Sequence, residues 1–207
     1  MNAQILYAIV AVVLLGVAIA LQLKWHFISD NSTAVPRPYS FARVQLVWWT
    51  FIVFAAFITI LIATGEIPTF NESTLILLGI GILTTGTATL IDISDSKAAA
   101  TTASMRNLNV NQASEGFLLD ILSDKDGISI HRLQAFIFNL LFGGWFIYKC
   151  ILGLHGLGVG CCMSDINAVM PVITPNNLIL LGLSSGAYVA LKTAENKSAI
   201  PAPIKGN

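Results

Sequence analysis

The sequence predicts an all-α fold: a polytopic transmembrane helical bundle with five spans, made of an N-terminal anchor and two parallel, repeated hairpins. Three observations predict it. Of the 207 residues, 55% are hydrophobic and only 11% are charged, with a mean hydropathy of +0.76, a balance far from that of soluble domains. Five apolar runs approach the roughly 20 residues that cross a bilayer. The segment before the second run recurs before the fourth, which indicates an internal duplication.

The five apolar runs are separated by segments rich in Pro, Gly, Asn and Ser, which favour turns. They lie at 5–23, 44–64, 75–91, 133–152 and 178–191. When the runs are threaded alternately through a membrane, every Lys and Arg except Lys149 falls on one side. The positive-inside rule assigns that side to the cytoplasm. We therefore expect the N-terminus outside and the C-terminus in the cytoplasm.

The first run has two interpretations, a cleaved signal peptide or an uncleaved anchor. Ala18-Ile19-Ala20 resembles a cleavage site, but no Lys or Arg precedes the run, whereas a signal peptide normally begins with positive charge. We therefore assign the run to an anchor. In chain order, the predicted segments are the anchor with its linker, a first hairpin repeat, a cytoplasmic loop, a second hairpin repeat and a cytoplasmic tail, at 1–37, 38–92, 93–128, 129–195 and 196–207.

The duplication relates two hairpins. Ser40-Phe41-Ala42-Arg43-Val44-Gln45 precedes the second run, and Ser129-Ile130-His131-Arg132-Leu133-Gln134 precedes the fourth, 89 positions later. Residues 68–79 match 171–182 in the same manner. Because both copies begin at the cytoplasmic side, they are parallel and related by an axis along the membrane normal. Many transporters instead contain inverted repeats.

Each repeated arginine has two candidate roles. Its guanidinium can snorkel to the lipid headgroups while its stem lies in the acyl region. Alternatively, Arg43 and Arg132 pair with Asp92 and Glu195, the acids that end the returning spans at the same depth. A planar guanidinium can bind a carboxylate bidentately. Such pairs would have a structural role. They would join the two spans of each hairpin at their cytoplasmic end, here called the inner mouth.

The second span of each hairpin carries polar residues at helical spacing, so that the polar residues of one span share one face. The predicted polar or pore-lining face comprises Thr85, Thr89, Ser185, Tyr188 and Lys192. Small residues that let transmembrane helices approach closely are the other feature of these spans, and those predicted to pack helices are Gly79, Gly81, Gly182 and Gly186. Two interpretations of this face are open: packing between helices, and the lining of a pore in an oligomer.

Several chemistries find no support in the sequence. No ionisable side chain lies in the middle of a proposed span, which argues against proton-coupled transport. The most polar interior residue of the fourth run is Asn139, which we expect to hydrogen-bond across helices. The three histidines are scattered, with no Ser/His/Asp or Cys/His arrangement, and the basic residues are dispersed. We expect no enzymatic activity, no cofactor, no metal and no nucleic-acid partner.

The second hairpin has a longer external connection than the first. Its Gly/Cys-rich part, 153–162, is apolar and flexible, and either re-enters the membrane or packs at an interface. Three interpretations are open for Cys150, Cys161 and Cys162: one disulfide, a zinc site with His155, or small buried apolar side chains. The adjacent cysteine pair lacks the usual spacing of zinc ligands.

The long inner loop contains the segment Gly116-Phe117-Leu118-Leu119-Asp120-Ile121-Leu122, which predicts a short amphipathic helix along the inner leaflet. Its apolar residues Phe117, Leu118 and Ile121 are the predicted docking surface for a cytoplasmic protein partner. The Asp-Gly pair at Asp126 and Gly127 predicts a tight turn into the next span rather than a calcium loop.

The strings SFARVQLVWWT, LLGIG, LLDILSDKDGISIHRLQ and LLGLSSGAY together resemble uncharacterised bacterial integral membrane proteins with two tandem helical-hairpin repeats. The resemblance spans 38–195 and implies the bacterial inner membrane, but no chemistry. The sequence favours a non-enzymatic, homo-oligomeric scaffold or sensor in the lipid bilayer that couples the membrane to a cytoplasmic partner. An oligomeric channel for ions or small solutes is the alternative, and a secondary transporter comes third.

Overall fold

The computed structural model of the chain describes residues 2–30, 35–101, 113–124 and 127–197, with the backbone alone at 92–101, 124 and 193–197. Within these ranges the chain is helical apart from a minimal hairpin. The helices are α1 (Ala3–Trp25), α2 (Phe41–Thr64), α3 (Glu72–Thr101), α4 (Phe117–Leu122), α5 (Ile130–Gly153), α6 (Met163–Ala168) and α7 (Pro175–Lys197). The strands β1 (Ser123–Asp124) and β2 (Gly127–Ile128) form the antiparallel hairpin between α4 and α5.

Four helices in the described part are long and apolar enough to cross a membrane. They are α1, α2, α5 and the stretch Glu72–Ile91 of α3. α7 has 23 residues, as many as α1, but is less apolar because it begins Pro175-Asn176-Asn177 and contains Ser184, Ser185 and Lys192. The all-helical class is therefore confirmed, and the structure fits a membrane protein with four such helices where the sequence predicted five.

The helix ends follow ordinary capping chemistry. Asn2 precedes α1 and its Oδ1 accepts a hydrogen bond from the backbone N–H of Gln4 at 3.0 Å, which satisfies an otherwise unpaired donor. α2 ends at Gly65, whose φ of 78° lies in the left-handed region that glycine adopts without a Cβ penalty.

Four long helices form a ring in which α2 contacts α3, α3 contacts α7, α7 contacts α5 and α5 contacts α2. α1 packs on the outside of α2, and the short α4 contacts the starts of α2 and α5. The main core contains large, fully buried side chains: Trp49, Ile52, Ile60, Leu77, Phe146 and Leu181.

The main core extends to one end of the bundle, and the other end has a separate apolar cluster. At one end, here called the outer end, the connection after α5 folds back and buries Leu154, Ile166, Val169, Met170 and Ile173. Gly153 permits this return, since a methyl group there would lie 2.9 Å from the Cα atom of Val169. At the inner end a second cluster joins five helices, α2, α3, α4, α5 and α7, and comprises Phe41, Ala42, Ala88, Ile121, Ala135 and Tyr188.

Candidate functional site

The candidate site lies at the inner end, where the chain enters α2 and α5 through similar backbone turns. Ser29 pairs with Tyr39 in an isolated antiparallel bridge before α2, and Ser123 pairs with Ile128 before α5. The first residue after each bridge then bonds back across the turn. Ser40 N–H donates to Ile28 O at 2.9 Å, and Ser129 N–H donates to Leu122 O at 2.9 Å.

The repeated arginines hold these two turns. Arg43 Nη1 donates to Ser29 O at 2.8 Å and to Phe27 O at 3.4 Å. Arg132 Nη1 donates to Ser123 O at 2.5 Å, and its guanidinium lies 5.5 Å from the centre of the Tyr188 ring. Each arginine thus bonds the carbonyl of the serine that pairs in its own bridge.

The structure bears on only one of the two roles expected for the arginines. Arg132 is 9% exposed, so its guanidinium is enclosed by protein rather than extended towards headgroups. The predicted inner-mouth pairs with Asp92 and Glu195 involve side chains outside the described residues, and they stay a prediction. What the structure adds is a bond from each guanidinium to backbone carbonyls, which sequence spacing did not suggest.

The predicted polar face packs against other helices of the same chain. Thr85 Oγ1 donates to Ala42 O of α2 at 3.0 Å, and Thr89 Oγ1 donates to Thr85 O within α3. Ser185 Oγ accepts from Gln45 Nε2 at 2.8 Å. The Thr85 and Ser185 hydroxyls therefore take part in contacts between helices of the same chain, whereas the Thr89 hydroxyl bonds within α3.

The α7 part of the same face is also buried. Tyr188 is 4% exposed, and its ring centre lies 5.0 Å from that of Phe41. Lys192 Nζ lies 3.6 Å from Asp30 Oδ2, in a pair whose side chains are 6% and 18% exposed. Burial of this pair carries a desolvation cost, and removal of either partner would leave an uncompensated, partly buried charge. The pair joins α7 to the turn before α2.

The small residues divide into two groups. A methyl group at Gly81 would lie 3.2 Å from Leu46 Cδ1 of α2, and one at Gly182 would lie 3.7 Å from Ile80 Cδ1 of α3, so both positions pack helices within the chain. Within the described part of the chain, no heavy atom lies within 4 Å of such a methyl group at Gly79 or Gly186. A groove of about 330 Å³ runs between α3 and α7, lined by small and hydroxyl residues that include Thr84, Thr87, Gly182, Ser185 and Gly186.

The three cysteines are free thiols in the structure, so the predicted disulfide is not formed. Cys150 is enclosed in the main core, whereas Cys162 is exposed and Cys161 is half-buried. Cys161 Sγ accepts a hydrogen bond from the Gly158 backbone N–H at 3.3 Å. Among the described residues, no three His, Cys, Asp or Glu side chains come together as metal ligands.

Asn139 and the tryptophans of α2 link the two halves of the ring near its middle. Asn139 Oδ1 accepts from Trp49 Nε1 at 2.6 Å, and the Asn139 backbone carbonyl accepts from Trp48 Nε1 at 3.0 Å. The expected hydrogen bond of Asn139 across helices is confirmed. Gly143 makes room for the Trp48 indole, since a methyl group there would lie 2.5 Å from Trp48 Nε1.

The short helix α4 is fixed to the turn before α2 by one carboxylate. Asp120 Oδ2 accepts from Tyr39 N–H at 3.0 Å and from Ser114 Oγ at 2.6 Å, while Oδ1 accepts from Glu115 N–H at 2.9 Å. Ser114 N–H in turn donates to Pro36 O at 2.9 Å. α4 is therefore held against the first half of the chain, across a long sequence separation.

The apolar residues of α4 comprise one that is buried in the bundle and others that are exposed. Ile121 is fully buried in the inner cluster, so it anchors α4 to its own bundle instead of forming part of a docking surface. Phe117 packs edge-on against Tyr39 at 5.2 Å between ring centres and is 42% exposed. Leu118 and Leu119 are 57% and 45% exposed, and Leu119 was not among the predicted docking residues.

One sequence signal could have located these turns in advance. Ile28-Ser29-Asp30 before α2 matches Leu122-Ser123-Asp124 before α5, and both serines are the bridge residues that the arginines bind. A comparison of the chain with models of known families, with curated proteins and with solved structures gives no match.

Proposed function

We propose that the chain is a non-enzymatic protein of the bacterial inner membrane, a homo-oligomeric scaffold or sensor whose helix α4 docks a cytoplasmic protein. The observation that carries the proposal is the construction of α4. Ile121 and the Asp120 carboxylate fix the helix to the bundle, while Leu118 and Leu119 stay exposed. Because Ile121 and Asp120 already fix α4, binding of a partner to its exposed apolar residues costs little conformational entropy.

The proposed topology has five spans, with α7 as the fifth. Its 23 residues match the other spans in length, and packing against α3 and α5 shields its polar residues from lipid. With the N-terminus outside, the turns that Arg43 and Arg132 hold lie at the cytoplasmic face, together with α4. The hairpins α2–α3 and α5–α7 are then parallel copies, and α2 meets α5 and α3 meets α7 around their common axis.

The groove between α3 and α7 supports the proposed homo-oligomer. Small side chains on a transmembrane surface allow the backbone of another helix to come close. We propose that a helix of a second copy lies along the groove. Gly186 is the informative position, because a Cβ added there meets no heavy atom of the described residues within 4 Å.

Gly186→Leu should therefore shift the purified protein in detergent to a smaller oligomer without unfolding it, as measured by light scattering after gel filtration. Gly79→Leu is the matched control, since it adds the same side chain at an equally open position that does not line the groove. Wild-type oligomer size in both variants would exclude the groove as the subunit interface.

The docking proposal is tested by crosslinking in the native host. A photoreactive residue at Leu118 or at Leu119 should capture one and the same cytoplasmic protein, and Leu119→Ser should weaken capture from position 118. Ile82, which is 61% exposed on α3, is the control position facing the membrane. Adducts with lipid alone at both α4 positions would show that the helix lies on the inner leaflet and would exclude docking.

A further inference from the structure

An apolar cleft of about 500 Å³ separates the second half of α1 from α2. It runs towards the inner end, where the turn between the two helices and Phe117 of α4 complete its wall. The lining is mostly aliphatic and aromatic, and it includes Leu15, Ile19, Leu23, Val47, Trp48 and Phe51. Packed protein leaves few voids larger than a water molecule, so a cleft of this size calls for an occupant.

The cleft is a fixed part of the fold, because α1 is attached on both sides of it. The buried residues of α1 all lie between Ala3 and Val10, in its first half. Near the other end the Gln22 carboxamide holds the turn before α2. Its Nε2 donates to Ser29 Oγ at 3.1 Å, and its Oε1 accepts from the Ile28 N–H at 3.1 Å. The second half of α1 therefore cannot close onto α2 without loss of one of these attachments.

The surroundings of the cleft indicate what fills it. Both α1 and α2 are long and apolar enough to cross a membrane. The α1 side of the wall is also molecular surface, since Leu15, Ile19 and Leu23 are 52%, 52% and 76% exposed. The cleft is therefore open to the medium around α1, which for a membrane span is the acyl region of the bilayer. Water is a poor occupant, because a buried water needs two to four polar partners and this wall is mostly apolar.

The dimensions of the cleft favour an acyl chain over a helix of another protein. The wall extends along α1 from Leu15, near the middle of the helix, to Leu23, near its end. At 1.5 Å per residue this length is about 12 Å, close to the roughly 15 Å depth of one leaflet of the hydrocarbon core. A helix about 10 Å wide would occupy on the order of 900 Å³ over that length, far more than the 500 Å³ of the cleft.

We propose that the cleft binds one acyl chain of a membrane lipid from the leaflet at the inner end. The polar side chains of Gln22 and Tyr39 lie at that end of the lining, where the polar head of such a lipid is placed. Trp48 and Phe51 of α2 then lie beside the chain. Binding depends on insertion of α1 and α2 in a membrane. It depends neither on the proposed docking of a protein at α4 nor on the proposed oligomer.

Trp48 reports on the occupant, because it lines the cleft and bromine quenches tryptophan fluorescence on contact. The test uses the full chain with Trp25→Phe, Trp49→Phe and Trp145→Phe, which leave Trp48 as its one tryptophan. The chain is reconstituted in vesicles of phosphatidylcholine that carries bromine in the middle of its acyl chains. We expect loss of most of the Trp48 emission relative to vesicles of the same lipid without bromine.

Two substitutions in α1 decide whether the quenching lipid is in the cleft. Ala18→Phe places a ring in the cleft from the α1 side and should restore most of the Trp48 emission. Ala20→Phe is the matched control, since it adds the same ring at an exposed position of α1 that does not line the cleft. It should leave the quenching unchanged. If Ala18→Phe fails to fold, Val47→Phe fills the cleft from the α2 side and should have the same effect.

Two results would overturn the proposal: equal Trp48 emission in vesicles with and without bromine, or undiminished quenching in the folded variant with a filled cleft. A chain that keeps only Trp145, which is 38% exposed on α5, should be quenched with or without Ala18→Phe and shows that the lipid reaches the protein. If Trp49→Phe prevents folding, Trp49 is retained, because its ring is 1% exposed in the core and adds a nearly constant background.

Discussion

Helices α2 and α5 begin alike and then diverge within two turns. Each has 24 residues, follows a bridged serine and places an arginine on a backbone carbonyl of that turn. Gln45 and Gln134 occupy matching positions, yet Gln45 is buried against α7 and Gln134 is exposed. The difference comes from the neighbours, since Ser185 of α7 lies against Gln45 whereas the matching position of α5 is exposed. Local sequence sets how these helices start, and tertiary neighbours set which positions are buried.

The largest expected difference between the two helices is at their aromatic residues. Trp49→Ala should lower the free energy of unfolding by about 3–5 kcal/mol, because it removes a fully buried ring and the hydrogen bond to Asn139. Phe138→Ala, at the matching but half-buried position of α5, should cost clearly less. Unfolding in mixed micelles with increasing SDS measures both, and equal losses would contradict the asymmetry.

The second-largest effect on the free energy of unfolding is expected at the two arginines. Arg43→Ala and Arg132→Ala should each lower the free energy of unfolding by about 1.5–3 kcal/mol, since each loses hydrogen bonds from a charged group to backbone carbonyls. Arg132→Ala should cost more, because the guanidinium also lies over the Tyr188 ring. Arg132→Lys tests the planar fork separately from the charge and should recover only part of the loss. A larger loss in Arg43→Ala would reverse the proposed order.

The attachment of α4 should respond more locally. Asp120→Ala removes the acceptor of three hydrogen bonds, and amide exchange across 114–120 should accelerate by roughly tenfold or more. Amides in the middle of α2 should exchange as before. Glu115→Ala is the control, because the Glu115 contact with Asp120 uses its backbone N–H alone. Unchanged exchange in Asp120→Ala would mean that Ile121 holds the helix without the carboxylate.

The last prediction concerns the connection between α5 and α7. We expect a difference in thiol labelling there and no change in stability. In cells expressing single-cysteine variants, a membrane-impermeant maleimide should label Cys162 from outside and leave Cys150 unlabelled. Cys162 is exposed and Cys150 is enclosed in the core. Labelling of Cys162 only after the inner membrane is permeabilised would reverse the proposed orientation of the chain.

The sequence predicts the helical class, the positions of α2 and α5 and the bond of Asn139, because each follows from local patterns or from a polar group in an apolar run. Helices α2 and α5 begin three residues before the predicted runs at 44 and 133. It does not predict the direction of the polar face. Lipid and protein interiors are both apolar, so hydrophobic periodicity does not distinguish them in a span. The burial of Ile121 beside exposed Leu118 has the same origin, since both are aliphatic and only the contact with Ala135 and Tyr188 separates them.

The first helix depends on a part of the chain that is made much later. Gln4 Nε2 donates to Ile151 O at 3.0 Å, across 147 positions, and the buried residues of α1 are all in its first half. During synthesis α1 leaves the ribosome long before its partner α5 exists. The beginning of α1 therefore acquires this neighbour only after α5 has been made, so completion of the bundle is a late step in folding.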